Sequence, residues 1–109
     1  MNSKQKGKRG ELEFEKLCRD MGYDVRRTAQ YCGNTGDASD CVGLPGIHIE
    51  VKRAERLNLY EAMAQAIWDS RNSGDIPIVA HRRNDSQWLI IMESDDWFKL
   101  YREWEAGRR

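Results

Sequence analysis

The sequence predicts an α/β fold, a central mixed β-sheet with helices on its faces, in the order α-β-β-β-α-β-β-α. Three observations carry this. Residues 47–52 alternate strictly between apolar and polar side chains, as a strand does. Residues 10–21 and the stretch from Asn58 onward carry apolar residues at helical spacing. Two apolar runs, residues 76–82 and 87–92, flank the polar turn Arg83-Asn84-Asp85-Ser86 and read as a hairpin.

Taken in order, residues 1–9 hold Lys4, Lys6, Lys8 and Arg9 before any acid, and predict a flexible basic arm. The first helix follows over residues 10–21, with Phe14, Leu17, Cys18 and Met21 on one stripe and Gly22 as its C-cap. Residues 23–28 are a strand candidate, and residues 30–39, with Gly33, Asn34, Gly36 and Asp37, read as a loop. A short strand is expected at 40–42 and a turn at Gly43-Leu44-Pro45-Gly46. In the 47–52 strand, Ile47, Ile49 and Val51 face one way, and His48, Glu50 and Lys52 the other. Asn58 with Glu61 three residues on marks the start of the second helix, for which Tyr60, Met63, Ala64 and Ile67 form the predicted buried stripe. Ser94 is the predicted cap of a last helix, with Asp95 and Asp96 favourably placed at its positive end. Trp97, Leu100, Tyr101 and Trp104 line one face of that helix, which suits either a core contact or a dimer surface.

The chain has 109 residues, the size of one domain. At this size a single core is modest, and dimerisation is a common supplement. No apolar run approaches the roughly 20 residues that span a bilayer, and no apolar stretch follows the charged start, so a soluble, cytoplasmic protein without membrane contact is expected. The three cysteines, Cys18, Cys32 and Cys41, are odd in number and lack metal-ligand spacing, which argues against a disulfide scaffold and a structural zinc site and for free thiols in a reducing compartment. Eighteen basic and eighteen acidic residues balance. A nucleic-acid partner therefore has to rely on local clusters, among them Arg26 with Arg27, Arg53 with Arg56, and Arg82 with Arg83.

The chemistry-bearing pattern centres on Glu50 and Lys52, two apart on one strand and so on one face. Such charges are costly inside a protein unless they are paired or bind a metal. Should the 40–42 segment run antiparallel beside this strand, Asp40 and Glu50 converge. Two carboxylates and a backbone carbonyl suit Mg²⁺, a hard cation that keeps several waters and acidifies them, and Lys52 would then stabilise charge growing on a phosphate. The same face equally suits a solvated, half-exposed strand. Glu11 lies at the edge of the first helix's apolar stripe, where an acid points either to a polar pocket or only to the helix dipole.

With these residues in view, the chain resembles the archaeal-type Holliday junction resolvases of the PD-(D/E)xK nuclease superfamily, which have the restriction-endonuclease-like fold. Lys6-Gly7-Lys8-Arg9-Gly10-Glu11 is similar to the family's opening signature, Ser39-Asp40-Cys41-Val42-Gly43 to its Asp strand, and Ile49-Glu50-Val51-Lys52 to its Glu-x-Lys strand. Gly74-Asp75-Ile76-Pro77-Ile78-Val79-Ala80 and Trp88-Leu89-Ile90-Ile91-Met92-Glu93 are similar to the hairpin that follows. The resemblance covers nearly the whole chain and implies one nuclease domain over residues 1–109. It implies that Glu11, Asp40 and Glu50, with the Val51 carbonyl, help bind Mg²⁺, for which Mn²⁺ substitutes, and that Lys52 assists catalysis. Gln65 stands where related nucleases carry a Gln facing the active site, though a surface role fits it equally, and Thr28 or Ser39 is placed to contact a phosphate. Ser39 replaces the family's Pro.

These readings lead to a homodimeric, metal-dependent endonuclease of DNA repair and recombination that resolves four-way junctions. Lys4, Lys6, Lys8, Arg9, Arg26, Arg27 and Arg53 are the expected DNA-binding cations. The alternatives are a nuclease of the same fold acting on flaps, forks or linear duplex, and a DNA-binding protein without turnover.

Overall fold

The computed structural model describes residues 3–28 and 39–108, with the side chains of Ser3, Lys4 and Lys6 outside the description. Its elements are α1 (Ser3–Asp20), β1 (Arg26–Arg27), β2 (Cys41–Val42), β3 (Ile47–Arg53), α2 (Leu59–Ser70), β4 (Ile76–Arg82), β5 (Leu89–Ile91) and α3 (Ser94–Ala106). Among the described residues they appear in the order expected from the sequence. The strands form one five-stranded sheet in chain order. β1, β2 and β3 are antiparallel neighbours, β3 and β4 are parallel across the α2 crossover, and β5 returns antiparallel to β4. The result is a mixed sheet flanked by helices, with β3 in the middle.

The alternation of β3 explains this layering. Ile47, Ile49 and Val51 pack with Phe14, Leu17 and Cys18 of α1, together with Val25, Cys41, Ile78 and Ala80. Phe14 meets Trp88 with ring centroids 5.1 Å apart, tying α1 to the β4–β5 hairpin. On the opposite face Val79, beside Glu50 in the register, packs with Ala62, Met63 and Ala66 of α2. His48 and Glu50 lie on this second face and are buried as well. β3 is therefore covered on both sides, and the solvated-face alternative for Glu50 fails.

β1 and β5 are shorter than expected, and three further features differ. The arm predicted over residues 1–9 is helical from Ser3 onward. Lys, Gln and Arg are good helix formers, and a helix already nucleated on the Phe14 face extends through them cheaply. The α2 stripe is rotated from the one predicted. Ala62, Met63, Ala66 and Ser70 are buried, whereas Tyr60, Ala64 and Ile67 are exposed. Small residues let α2 lie close to a strand face that carries polar side chains, so size overrode apolarity. At α3 the N-cap is Glu93, without a side-chain capping bond, and Ser94 is the first helical residue. The predicted Asn58 cap holds, its Oδ1 accepting from the Glu61 N–H at 3.1 Å. No residue of α3 is buried, so its aromatic face is not a core contact.

Two glycines mark close approaches. Gly43 has φ +125°, and a Cβ there would run into the Asp24 carbonyl oxygen and lie 2.7 Å from Val25 Cα. Gly10 brings α1 against β3, where a Cβ would fall 2.6 Å from Arg53 Cβ. Cys18 and Cys41 are free and buried, and burial raises both thiols, Cys41 to about 12. Cys32 lies outside the described residues. Among the described residues no helix is long and apolar enough to cross a membrane.

Gly7 and Gly10 sit three residues apart in α1 and make opposite predictions. Nothing lies within 4 Å of a Cβ at Gly7, so Gly7→Ala is expected to stabilise the protein by up to about 1 kcal/mol through helix propensity. Gly10→Ala is expected to cost roughly 1–3 kcal/mol, because overpacking here pushes α1 off β3. Urea denaturation of the two variants beside the wild type checks both signs.

Candidate active site

The register delivers the convergence that the sequence could only make conditional. β2 pairs antiparallel with β3 at Cys41 and Ile49, which sets Asp40, just before β2, across from Glu50 and next to Val51. The Asp40 N–H donates to the Ile49 carbonyl at 2.8 Å, and the Val51 N–H donates to Asp40 Oδ2 at 2.7 Å. The short β2 strand thus hands its leading carboxylate to the centre of β3. Thr28 extends the ladder outward, its N–H donating to the Asp40 carbonyl.

The electrostatics show how close the acids are. The Asp40 carboxyl is pushed from its ordinary 3.8 up to about 7, first by burial, then by the Glu50 charge, with Glu11 adding to it. The Val51 N–H and Lys52 oppose the shift without cancelling it. Glu11 is also raised, first by burial, with a contribution from Glu50 and a counterweight from Arg27. Glu11, Asp40 and Glu50 therefore feel one another although they come from α1, the β2 entrance and β3. Glu11 is held by the Arg27 Nε–H, which donates to its Oε1 at 2.6 Å. Glu50 is 4% exposed, and its Oε1 is buried with no hydrogen-bond partner among the described residues. Lys52 is half-buried, and its Nζ donates to Gln65 Oε1 at 3.2 Å. Gln65, reaching across from α2, fixes where the ammonium sits.

Mutually repelling carboxylates around an unsatisfied buried oxygen form a site that lacks positive charge. Such a donor set fits a divalent cation: hard oxygen ligands at the edge of a polar pocket, with repulsion that a dication relieves.

Other predicted residues are placed differently. The Ser39 hydroxyl lies 3.1 Å from His48 Nδ1 and accepts from the Ile49 N–H at 3.3 Å. The Thr28 hydroxyl is buried, with no hydrogen-bond partner among the described residues. Arg27 is committed to Glu11. Arg53 is half-buried, its Nε donating to Glu13 at 2.9 Å and its guanidinium also reaching Asn84. Both arginines brace the fold. Lys8, Arg9 and Arg26 are exposed, and the side chains of Lys4 and Lys6 lie outside the description.

The sequence reading left out His48 and Asp69. His48 shares Glu50's face, and His48, Glu50 and Asp69 bring ligand atoms within 4.8 Å of one another. The alternation of β3 put His48 on that face, and the four-residue spacing from Gln65 put Asp69 on the same side of α2. These two periodicities were the available signal.

No curated protein matches the sequence. Among solved structures the chain is similar to that of Hjc, a Holliday junction resolvase from the archaeal hyperthermophile Archaeoglobus fulgidus, with a TM-score of 0.62 at 23% identity over 79% of this chain and 76% of that one. This likeness is one of fold, and it makes the sheet and its helices restriction-endonuclease-like. The profile of the family described as "Phage putative PDDEXK endonuclease" matches residues 2–108, nearly the whole chain. By that match the chain belongs to the PDDEXK endonuclease family, and it is a nuclease with the fold of the Hjc resolvases.

Proposed function

We propose that this protein is a Mg²⁺-dependent DNA endonuclease, active as a homodimer, that resolves four-way junctions. The observation that carries the catalytic part is the clustering of Glu11, Asp40 and Glu50, in which the Glu50 charge raises both the Asp40 and the Glu11 carboxyls beside the buried, unsatisfied Glu50 Oε1. Asp40 and Glu50, with the Val51 carbonyl and Glu11, would hold the cation. When bound, Mg²⁺ supplies charge that polarises the scissile phosphate and acidifies water.

The chain's own residues do the rest. Lys52, steadied by Gln65, offers a positive charge to the phosphate oxygen as negative charge grows there. Arg27 holds the Glu11 carboxylate and keeps it from swinging away. The Val51 N–H locks one Asp40 oxygen against the β3 backbone, so the carboxylate keeps its orientation whether protonated or not. Lys8, Arg9 and Arg26 are exposed and available to DNA phosphates, joined by Lys4 and Lys6 in sequence.

The junction part of the reading is supported by the Hjc-like fold, and the dimer part by α3. Trp97 and Tyr101 stack with centroids 5.2 Å apart, Tyr101 and Trp104 lie 5.5 Å apart, and Trp97, Phe98, Leu100 and Trp104 are all more than two-fifths exposed. A self-complementary apolar face of this kind is what an isologous dimer buries. Two sites related by a two-fold axis can nick opposed strands of a junction.

The substrate reading is tested with end-labelled four-way junction, fork, flap and linear duplex in Mg²⁺. The expected result is paired incision of the junction in opposed strands. Glu50→Ala and Lys52→Ala should each lower the rate by roughly a hundredfold or more. Equal cutting of fork or duplex would leave the catalytic cluster standing and remove junction selectivity. No cutting of any substrate, with binding indifferent to Glu50→Ala, would favour a DNA-binding protein without turnover.

The pH dependence has a definite sign. Cation binding requires a deprotonated Asp40, so Mg²⁺ affinity should fall by up to roughly tenfold per pH unit as pH drops below about 7. In the cation-free protein the folded Asp40 binds its proton more tightly than the unfolded one, so its contribution to stability falls as pH rises from 3.8 to about 7. Asp40→Asn should therefore raise the thermal midpoint of the metal-free protein above neutrality, not below pH 3.8, while abolishing cleavage. Calorimetry across pH checks the first and the junction assay the second.

For the dimer, sedimentation equilibrium of the wild type should give twice the chain mass, and Trp97→Glu or Tyr101→Glu should shift it to the monomer. A monomeric wild type that still makes paired cuts would remove this part of the proposal.

A further inference from the structure

On the α2 side of β3 three side chains meet that the cleavage reading does not use together. His48, Glu50 and Asp69 each offer a ligand atom, all within 4.8 Å of one another. His48 is 3% exposed, and its Nε2 lies 3.8 Å from Glu50 Oε1. That is too long for a hydrogen bond, and neither atom has a hydrogen-bond partner among the described residues. Buried polar atoms are normally satisfied, and a facing pair left without partners needs a physical reason.

A cation between them is one. Zn²⁺ in a tetrahedral site at about 2.0–2.1 Å from its ligands sets those ligands roughly 3.3 Å apart. The His48–Glu50 pair is within a small side-chain adjustment of that spacing. The other ring nitrogen is already arranged for the task. Ser39 Oγ lies 3.1 Å from Nδ1 and has a second lone pair besides the one that receives the Ile49 N–H. Accepting the Nδ1–H leaves the lone pair on Nε2, aimed at Glu50. Metal-ligating histidines usually have such an outer partner. α2 completes the group: Gln65 and Asp69, one turn apart, face β3 together, the first on Lys52 and the second on His48 and Glu50.

We propose that His48, Glu50 and Asp69 form a second metal site, with one nitrogen and two carboxylate ligands, for a divalent ion that accepts imidazole, of which Zn²⁺ is the best match. Its ligand set differs from the all-oxygen set proposed for Mg²⁺, and Mg²⁺ competes poorly for imidazole nitrogen. The two sites share Glu50. Filling this one draws on a carboxylate that cleavage needs, so Zn²⁺ antagonises Mg²⁺-driven cleavage, a consequence that rests on the nuclease reading.

The binding test uses the whole protein without DNA. Equilibrium dialysis against Zn²⁺ in excess Mg²⁺ is expected to show one retained Zn²⁺ per chain. Asp69→Asn and His48→Gln should each weaken it by at least about tenfold, and Ser39→Ala by about tenfold through the ring orientation. Asp69 is only half-buried on a helix, so its variant keeps the test open if the buried His48 variant fails to fold. Co²⁺ in place of Zn²⁺ should give visible bands of nitrogen and oxygen coordination without an intense thiolate band. Retention of no Zn²⁺, retention unchanged by Asp69→Asn, dependence on Asp40 greater than on Asp69, or a thiolate band would each overturn the proposal. Because no DNA is present, failure here leaves cleavage untouched, and failure of cleavage leaves Zn²⁺ binding untouched.

Discussion

Burying Glu50 on a strand covered from both sides obliges the surrounding structure to deal with its charge. β3 is the middle of the sheet, packed by α1 on one face and α2 on the other. An isolated carboxylate there costs several kcal/mol, and the cost grows when Asp40 and Glu11 are brought near. Among the described residues one guanidinium, that of Arg27, is hydrogen-bonded to one of the three acids, and it serves Glu11. The Val51 N–H serves Asp40. Glu50 keeps an unsatisfied oxygen. A protein selected only for stability would replace such a residue with Val or Ile, as β3's other face does.

The basic residues near the site divide by what they do for the fold. Arg53 joins α1 through Glu13 to the β4–β5 turn through Asn84, and Arg82 approaches the same Glu13 at 3.8 Å. Arg27 links β1 to α1 through Glu11, while the Arg27 N–H also donates to Glu15. These pairs hold α1 in place over the sheet, which is what carries Glu11 to the other acids. A guanidinium already paired with a carboxylate in the fold has little left to offer a phosphate. In a chain with no net charge, a large share of the basic side chains near the site is thus spent on holding the fold together.

Most of the architecture was legible because it follows from periodicity. The alternation in β3 gave both its direction of burial and the common face of Glu50 and Lys52, and turn chemistry separated β4 from β5. The pairing of Asp40 with Glu50 needed register, which depends on where β2 docks and is not written in either segment. The orientation of α2 was misread because apolarity was taken as the guide. Here the strand face beneath the helix is polar, so alanines meet it and Tyr60 and Ile67 turn outward. The pairing of Arg27 with Glu11 and of Arg53 with Glu13 was not legible for a related reason: the partners are far apart in sequence and only the fold brings them together.

Ser39 shows how a departure from a family pattern can have a local physical sense. A proline at this position would shape the backbone before Asp40 and offer no hydroxyl. The serine here receives the Ile49 N–H and touches the His48 ring. Both Ser39 and His48 thus belong to one arrangement, in which the residue before Asp40 orients a ring that faces Glu50. The polar layer between β3 and α2 then runs continuously from Ser39 through His48 and Glu50 to Lys52, closed by Asp69 and Gln65 from the helix. A change at any member alters the electrostatics of Glu50, so the α2 side of the strand is coupled to the acids at its edge through that single carboxylate.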